Sequence, residues 1–321
     1  MLRALLQRGP ALALLVGLMG LAVPARAFTT IRLALQWVPQ AQFAGYYVAF
    51  EKGFYLRRGL DVFIIRGGPN REPVRALLAG EADVGTFFLS AALLYRDRGV
   101  PLVHLGQIVG RSHQVLLAWR DRGVDGIDDL NGRKVTLWGD DFRGGYLALF
   151  EDGAVTPKLI PQYDSITLFR RGLVDACAAM SYNELHRLLL SGVDAEELTV
   201  IDLAEKGYSF PEDGLYALAP FAETHPEACG DFVEATLEGW RYAAENVDEA
   251  LDIVMAYARR AHVPTNRVHQ RWMLERILPS ILAEPGVLSR EAYERTARTL
   301  ERVGLIARPL PFSLFRGGER P

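Results

Sequence analysis

The chain has 321 residues, of which half are hydrophobic, and a formal net charge of −3. This length is enough for two lobes with separate cores, and the mildly acidic balance argues against nucleic acid and anionic lipid surfaces as partners. Its two cysteines and six histidines show no metal-ligand spacing, so no metal and no cofactor is expected.

The first 27 residues have the pattern of a secretory signal peptide. Arg3 and Arg8 make the start positive, an apolar run covers residues 11–23, and Ala25-Arg26-Ala27 offers a small-x-small cleavage pattern. The run is shorter than the roughly 20 residues that span a bilayer, although a membrane anchor is the alternative interpretation. No cysteine follows it for lipid attachment, and no paired arginines precede it for twin-arginine export. Its removal deletes three arginines and no acid, which changes the net charge from −3 to −6. No later segment is long and apolar enough to cross a membrane, so we expect the mature protein to be soluble.

From Phe28 onward, short β-type runs alternate with helical runs, which is typical of parallel strands joined by crossover helices. Strands are predicted over residues 31–35, 59–65, 82–87 and 102–109. Helices are predicted over residues 44–55 and 89–98. Asn70 is a candidate N-cap for a third helix, which would contain Pro73 in its first turn.

A second set of elements begins near Arg111. Strands are predicted over residues 115–119, 133–138, 159–163, 174–180 and 198–203, and helical segments over residues 128–132, 145–150, 166–171 and 183–190. A further strand over 214–218 is followed by helices over 226–245, 247–260, 266–283 and 289–303. The sequence thus predicts one lobe from residues 28–110 and 208–321 and another from residues 111–207. The tail from Pro309 shows no clear period.

The two cysteines allow two interpretations. In an oxidising compartment they can pair, and a loop of 52 residues closed in this way is worth roughly 4 kcal/mol. Cys177 lies in an apolar run that predicts a buried strand, and Cys229 lies in an early helical turn. Two separately buried thiols are the simpler interpretation, because cysteine packs as a small apolar residue.

Several segments resemble one family of proteins. The sequence LQWVPQAQFAGYYVA at residues 35–49, followed by EKGFY at 51–55 and GLDV at 59–62, resembles the start of solute-binding proteins of the thiamine-pyrimidine-precursor type. Residues 78–85, 129–135, 172–176 and 182–184 are similar to later parts of the same family. Its wider superfamily also serves sulfonates, nitrate and riboflavin.

The resemblance implies an α/β architecture, the type II periplasmic-binding-protein fold. In this fold two lobes with mixed, mainly parallel sheets are joined by two hinge crossings and close on a ligand. It also implies a periplasmic, monomeric substrate-binding component of an ABC importer, which delivers its ligand to an ABC permease in the inner membrane.

Candidate ligand-binding residues of the first lobe follow its strands, because ligands of open α/β sheets lie beyond the carboxyl ends of the strands. Aromatic faces stack on flat rings, amides read their edges, and a helix N-terminus holds an oxyanion or carbonyl. The candidates are Trp37, Gln40, Phe43, Tyr46, Gly68, Asn70, Thr86, Phe87 and Ser90. Ordinary core aromatics and plain helix caps are the alternatives for this set.

The second lobe contributes candidates in the same way, and they are Trp138, Arg143, Gly144, Tyr182, Asn183 and Glu184. Arg143 would attract a phosphate or carboxylate, unless it belongs to a solvated charged loop. Glu184 would accept a hydrogen bond from an exocyclic amine while Tyr182 stacks on the ring. A helix cap by Asn183 is the plain alternative.

The expected ligand is a small planar heterocycle such as a thiamine pyrimidine precursor. A flavin, a sulfonate, nitrate or another anion is the alternative within the same fold. A sensory module and a pyrimidine-synthase-like enzyme are alternatives of other classes. The chain has Gln40 and Phe43 where the pyrimidine-binding pattern has Asn and His, and it lacks the cysteine-rich motif of the fungal synthases. We therefore expect no enzymatic activity and no catalytic residue.

Overall fold

The computed structural model describes residues 28–316, which form two five-stranded sheets. The strands of the first sheet, given in chain order, are β1 (Thr29–Ala34), β2 (Leu60–Ile65), β3 (Val84–Phe87), β4 (Leu102–Gln107) and β10 (Gly214–Leu218). The strands of the second are β5 (Gln114–Trp119), β6 (Lys134–Leu137), β7 (Lys158–Pro161), β8 (Ala176–Met180) and β9 (Leu198–Asp202).

Both sheets are built on the same plan. The spatial order is β2-β1-β3-β10-β4 in the first and β7-β6-β8-β5-β9 in the second. In each sheet, the strand that directly follows a connection, β10 in the first and β5 in the second, lies next to the edge strand and runs antiparallel to both neighbours. The remaining pairs are parallel. The expected α/β fold with two mixed sheets is confirmed, although parallel and antiparallel pairs are equally frequent rather than mainly parallel.

The helices cover the sheets. They are α1 (Ala44–Glu51), α2 (Phe54–Arg57), α3 (Pro73–Leu78), α4 (Leu89–Asp97), α5 (Asp140–Asp152), α6 (Thr167–Arg170), α7 (Glu184–Leu190), α8 (Ala219–Thr224), α9 (Pro226–Glu245), α10 (Val247–Arg260), α11 (Arg267–Leu282), α12 (Arg290–Arg302) and α13 (Phe312–Phe315). The side chains of Asn266 and Ser289 accept hydrogen bonds from the first turns of α11 and α12, and Pro226 opens α9.

Three local predictions differ from the structure. The helix expected over 44–55 is divided by Gly53, whose φ of +69° places it in the left-handed region. Asn70 does not cap α3, because the helix begins at Pro73 after an extended Glu72. The tail beyond Pro309 contains α13, which places the fully buried Phe315 against the core.

The largest core lies at the first sheet, where α1 packs closely on α9. Trp240 of α9 is fully buried, and a Cβ at Gly45 of α1 would lie 2.3 Å from its ring. The second sheet carries two smaller clusters of buried residues. Cys177 and Cys229 are both buried, and no disulfide joins them.

Two adjacent segments, residues 108–113 and 203–213, connect the sheets. The side-chain amide of Gln107 donates to the carbonyl oxygens of Val109 and Glu212, at 3.0 and 2.8 Å. The backbone N–H groups of Ile108 and Val109 donate to the carbonyl of Asp213. These bonds hold the two connections side by side at the junction of the sheets.

The predicted signal peptide, residues 1–27, lies outside the described residues. Between residues 28 and 316, none of the helices combines the length and apolarity that crossing a bilayer requires. The lobe boundaries at residues 110 and 207 stay predictions.

Candidate functional site

A cavity of about 560 Å³ opens between the two sheets. Its lining residues follow the carboxyl ends of six strands, three from each sheet, as expected for a ligand site of an open α/β sheet. They are Gln36, Trp37, Gln40, Gln42, Pro69, Asn70 and Phe88 from the first sheet, and Trp138, Gly139, Phe142, Gln162, Tyr163, Asp164, Met180, Tyr182, Asn183 and Glu184 from the second.

Aromatic rings from both sheets form the walls of this cavity. Phe88 meets Phe142 edge to face, with ring centroids 4.9 Å apart, and Trp138 approaches the same Phe142 at 6.3 Å. Tyr182 is almost fully buried, whereas Tyr163 is 80% exposed at the rim. Such a cavity offers flat apolar faces to a ring enclosed between the sheets.

Amide groups form the polar wall on the side of the first sheet. The Nε2 of Gln40 donates to Oε1 of Gln42 at 2.7 Å, and Nε2 of Gln42 donates to Oδ2 of Asp213 at 2.8 Å. The Nε2 of Gln36 donates to the other carboxylate oxygen of Asp213. Asp213 is 1% exposed and does not line the cavity itself.

On the side of the second sheet, Glu184 is the buried acidic group. Its Oε2 accepts from the backbone N–H of Met180 at 2.8 Å and its Oε1 accepts from Nδ2 of Asn183 at 2.7 Å. Burial raises the pKa of Glu184, and the backbone hydrogen bond from Met180 lowers it in part. Asn183 stands at the N-cap position of α7, but its side chain makes no cap bond. Its Oδ1 accepts from Nε2 of His269 at 3.1 Å instead.

The charge of the lining is one-sided. Among the described residues around the cavity, Glu184 and Asp164 carry carboxyl groups, and none is lysine, arginine or histidine. The cavity therefore offers hydrogen-bond acceptors and ring faces, but no cationic side chain for an anion.

Seven of the residues predicted for the site lie in the cavity lining, and they are Trp37, Gln40, Asn70, Trp138, Tyr182, Asn183 and Glu184. The strands bring them together from distant parts of the sequence. Their contact with a ligand stays a prediction.

The other predicted residues of the loop after β1 and of β3 do not line the cavity. Phe43 and Tyr46 are fully buried in the core, where Tyr46 meets Trp240 edge to face. Phe87 is buried and packs against Tyr95 and Tyr216. For these three aromatic residues, the alternative interpretation as core residues is the one that the structure supports.

The remaining residues of the first lobe have local structural roles. Thr86 is fully buried and accepts a hydrogen bond from the backbone N–H of Gln36 through its Oγ1. Ser90 donates to the backbone carbonyl of Asp141, at 2.6 Å. Gly68 has a φ of +151°, a conformation that glycine tolerates and other residues rarely adopt.

Arg143 and Gly144 also lie outside the lining. The guanidinium of Arg143 pairs with Asp140 one turn earlier on α5, so it does not offer its charge to the cavity. A Cβ at Gly144 would lie 2.3 Å from Leu300, and the glycine therefore allows α5 to pack closely on α12. This arrangement does not favour the predicted anion contact at Arg143, which stays a prediction.

Ten lining residues lie outside the predicted set, and they are Gln36, Gln42, Pro69, Phe88, Gly139, Phe142, Gln162, Tyr163, Asp164 and Met180. Most lie within a few residues of a predicted residue, so the strand ends were found but not the orientation of each side chain. The segment after β7 was hidden because the predicted strand, residues 159–163, runs past the end of β7 at Pro161 and includes Gln162 and Tyr163. Asp213 had no signal, because it precedes a strand that returns from another part of the chain.

The fold and the site define a class of protein. Two five-stranded sheets of the same strand order, flanked by helices, with two connections between them and a cavity at their junction, are the features of the periplasmic-binding-protein fold. The aliphatic sulphonate binding protein SsuA from Escherichia coli has a similar structure, with a TM-score of 0.71 and 16% identity over 91% of this chain and 92% of that chain.

The chain belongs to the NMT1/THI5-like family, whose model matches residues 40–250. It is 25% identical to the riboflavin-binding protein RibY from Chloroflexus aurantiacus, over 87% of this chain and 82% of the relative. It is also 25% identical to the formylaminopyrimidine-binding protein from Halalkalibacterium halodurans, over 74% of this chain and 73% of the relative. The predicted superfamily is thereby confirmed, and both of these relatives are named as solute-binding proteins.

Proposed function

We propose that the protein is the periplasmic substrate-binding component of an ABC importer and binds a small planar heterocycle that is neutral or positively charged. One observation carries this proposal: a cavity with Trp37 and Trp138 in its walls has a carboxylate, Glu184, and no cationic side chain among its described lining residues.

The electrostatics of the cavity distinguish a heterocycle from an anion. A sulfonate or nitrate group that leaves water needs charge-assisted hydrogen bonds or a paired cation. Arg143, the nearest candidate in the sequence, is paired with Asp140 outside the lining. A neutral ring with N–H groups gains contacts with the aromatic faces and with the acceptor oxygens, so it is the better partner for this lining.

Two types of ligand meet these requirements, and the named relatives bind one of each. An aminopyrimidine can donate its exocyclic N–H to Glu184 while Tyr182 contacts the ring, and it is the first candidate. A flavin is larger and also planar and uncharged, and a cavity of about 560 Å³ lies within the usual range of sites for small molecules.

Binding in this proposal proceeds by closure of the two lobes about the paired connections. The cavity takes its walls from both sheets, so a ligand that contacts one wall completes its contacts only when the other wall approaches. The closed form would then dock on a permease in the inner membrane. An enzymatic role has less support, because the lining residues within 28–316 include no histidine, cysteine, serine or threonine that would act as a nucleophile.

Isothermal titration calorimetry of the purified exported form, without residues 1–27, with four probes tests the proposal. The probes are 4-amino-5-hydroxymethyl-2-methylpyrimidine, riboflavin, methanesulfonate and nitrate. We expect one of the two heterocycles to bind at least 100-fold more tightly than either anion. We also expect Trp37→Ala and Glu184→Ala to weaken this binding by about 1–3 kcal/mol each, because each removes a buried contact.

Native mass spectrometry of protein purified from its host supplies an independent answer. A co-purified mass of an aminopyrimidine or a flavin would support the proposal. Tight binding of an anion with no measurable affinity for either heterocycle would contradict it, as would turnover of a pyrimidine precursor by the purified protein.

A further inference from the structure

We propose that Asp213 is a positioning residue that fixes the hydrogen-bond direction of the cavity, so that Gln36 and Gln40 present acceptor oxygens and the site selects ligands with N–H donors on the ring edge. This inference rests on the proposed function and adds to it the hydrogen-bond pattern of the ligand.

Asp213 is well placed for such a role because it is immobilised next to the cavity without entering it. It is 1% exposed and ends the connection that leads back into β10. Its backbone carbonyl accepts from the N–H groups of Ile108 and Val109, at 2.9 and 3.0 Å, which ties it to the other connection. The carboxylate of Asp213 is therefore held in one position relative to the side chains that contact it.

An ionised carboxylate only accepts hydrogen bonds, and an amide both donates and accepts. Gln36 and Gln42 must therefore turn their NH₂ groups toward Asp213, as they do. This leaves Oε1 of Gln42 as an acceptor, and Nε2 of Gln40 donates to it at 2.7 Å. One buried charge thus determines the orientation of three amides. It orients Gln36 and Gln42 directly, and Gln40 through Gln42.

The oxygens at the ends of these two relays belong to Gln36 and Gln40, which both line the cavity. The opposite wall contributes Glu184, whose carboxylate is also an acceptor. A ligand edge between these walls would leave the side-chain oxygens of Gln36 and Gln40 without a partner unless it carries donors, and a buried polar group without a partner is costly. The class of ligand that fits these acceptor oxygens is a heterocycle with an amino substituent or an imide N–H.

The protonation state of Asp213 makes this selection dependent on pH. Burial raises the pKa of Asp213 to about 7, and the hydrogen bonds from Gln42 and Gln36 oppose this change. The titratable groups around it are Glu212, Tyr46, Tyr182 and Tyr216, and none is cationic. Below pH 7 the protonated carboxyl can donate to a glutamine oxygen and allow that amide to reverse. Affinity for a donor-edged ligand should therefore increase as the pH rises through 7.

The experiment compares two probes of similar shape by calorimetry. For a pyrimidine site they are 4-amino-2-methylpyrimidine and 4-methoxy-2-methylpyrimidine, and for a flavin site riboflavin and 3-methylriboflavin, which lacks the imide N–H. The wild-type protein at pH 8 should prefer the donor probe at least tenfold. Asp213→Asn should reduce this preference about tenfold or more, because an asparagine can donate to one glutamine and accept from the other.

Glu212→Gln is the matched control. Glu212 is the neighbouring buried carboxyl and accepts from Ser112 and from the backbone of His113, not from the glutamines. The Glu212→Gln variant should leave the preference between the two probes unchanged, even if it destabilises the connection formed by residues 203–213. The wild-type preference should also fall between pH 8 and pH 6, a change that Asp213→Asn should abolish.

Equal weakening of both probes by Asp213→Asn, or a wild-type preference that does not change with pH, would overturn the inference while leaving the proposed function intact. If Asp213→Asn does not fold, Gln42→Leu takes its place, because it breaks the relay from Asp213 to Gln40, and it should likewise reduce the preference for the donor probe. If the wild-type protein binds none of the heterocycles, the proposed function itself fails, and that outcome is distinct because it needs no variant.

Discussion

At the scale of single residues, two neighbouring side chains at the end of a strand lie in different places, one in the core and one in the cavity lining. Phe87 is the last residue of β3 and packs into the core, whereas the adjacent Phe88 lines the cavity. The sequence analysis chose Phe87 instead. Side chains alternate between the two faces of a strand, and this rule no longer predicts their direction where the strand ends. Gln42 and Phe43 form a similar pair, in which the polar residue reaches the site and the aromatic residue does not.

Residue-scale packing also makes one glycine indispensable. A Cβ at Gly45 would lie 2.3–2.5 Å from three atoms of the buried Trp240 ring. The gain in helix propensity from Gly45→Ala, about 1 kcal/mol, cannot offset an overlap with a rigid ring that has no free space. We expect Gly45→Ala to lower the free energy of unfolding by about 2 kcal/mol or more, as overpacked cores do, measured by urea denaturation.

Gly126→Ala is the control for this substitution. A Cβ at Gly126 would meet no atom within 4 Å, and the backbone there is extended. Its effect should stay within about 0.5 kcal/mol, as for most surface positions. An equally stable Gly45→Ala protein would show that α1 and α9 can separate without cost.

At the scale of elements, local signals specified the helices better than the strands. The predictions over 226–245 and 247–260 match α9 and α10 at both ends, since Pro226 opens the first and the amphipathic pattern continues through both. The strands are shorter than predicted at several ends, for example β4, which stops at Gln107 where the chain enters a connection. Apolar residues continue past that point because the connection is buried too, so hydrophobicity alone cannot mark the end of the strand.

The contact between α7 and α11 makes stability depend on pH. His186 and His269 stack with their Nδ1 atoms 2.9 Å apart, and Arg187 and Arg276 are the cations near them. Burial, together with smaller effects of His186 and Arg187, lowers the pKa of His269 to about 4. An unfolded histidine titrates near 6.5, so the unfolded state binds the proton first. Stability that is complete above pH 6.5 should therefore be lost as the pH falls toward 4.

His269→Gln tests this dependence, because glutamine can still donate to Asn183. Urea denaturation between pH 7.5 and pH 4.5 should show a smaller loss of unfolding free energy for this variant than for the wild-type protein. The other buried histidines are His104, His113 and His186, and they are present in both proteins. His104 and His113 cancel in the difference, whereas His186 contacts His269, so the difference measures the loss of this pair. His262→Gln, at an exposed position, is the control and should follow the wild-type curve. Parallel curves for His269→Gln and wild type would contradict the argument.

At the scale of the whole molecule, the two sheets repeat one strand order although the sequence shows no internal repeat. The alternation of strands and helices predicted the fold class, but the position of the inserted strand depends on pairing between distant segments. Leu215 pairs with Thr86 on one side and Gly106 on the other, and neither pairing has a local signal. The cavity depends on the same long-range pairing, which is why its members were only partly predictable.

The proposed closure has a specific contact that should stabilise the closed form. Helix α4 from the side of the first sheet meets α5 from the side of the second, where the hydroxyl of Tyr95 donates to Oδ2 of Asp141 at 2.9 Å. Neither residue lines the cavity. Because ligand affinity scales with the population of the binding-competent form, loss of this bond should weaken binding from a distance.

Tyr95→Phe should therefore raise the Kd of the preferred heterocycle about fivefold, the effect of roughly 1 kcal/mol for one hydrogen bond. Tyr257→Phe removes a matching bond, from a tyrosine hydroxyl to Glu51 at 2.9 Å, between two helices that both belong to the side of the first sheet. It should leave the Kd unchanged by calorimetry. If both variants bind as tightly as the wild type, the contact between α4 and α5 does not control closure. If both weaken binding equally, the effect reflects general stability rather than the movement of one sheet toward the other.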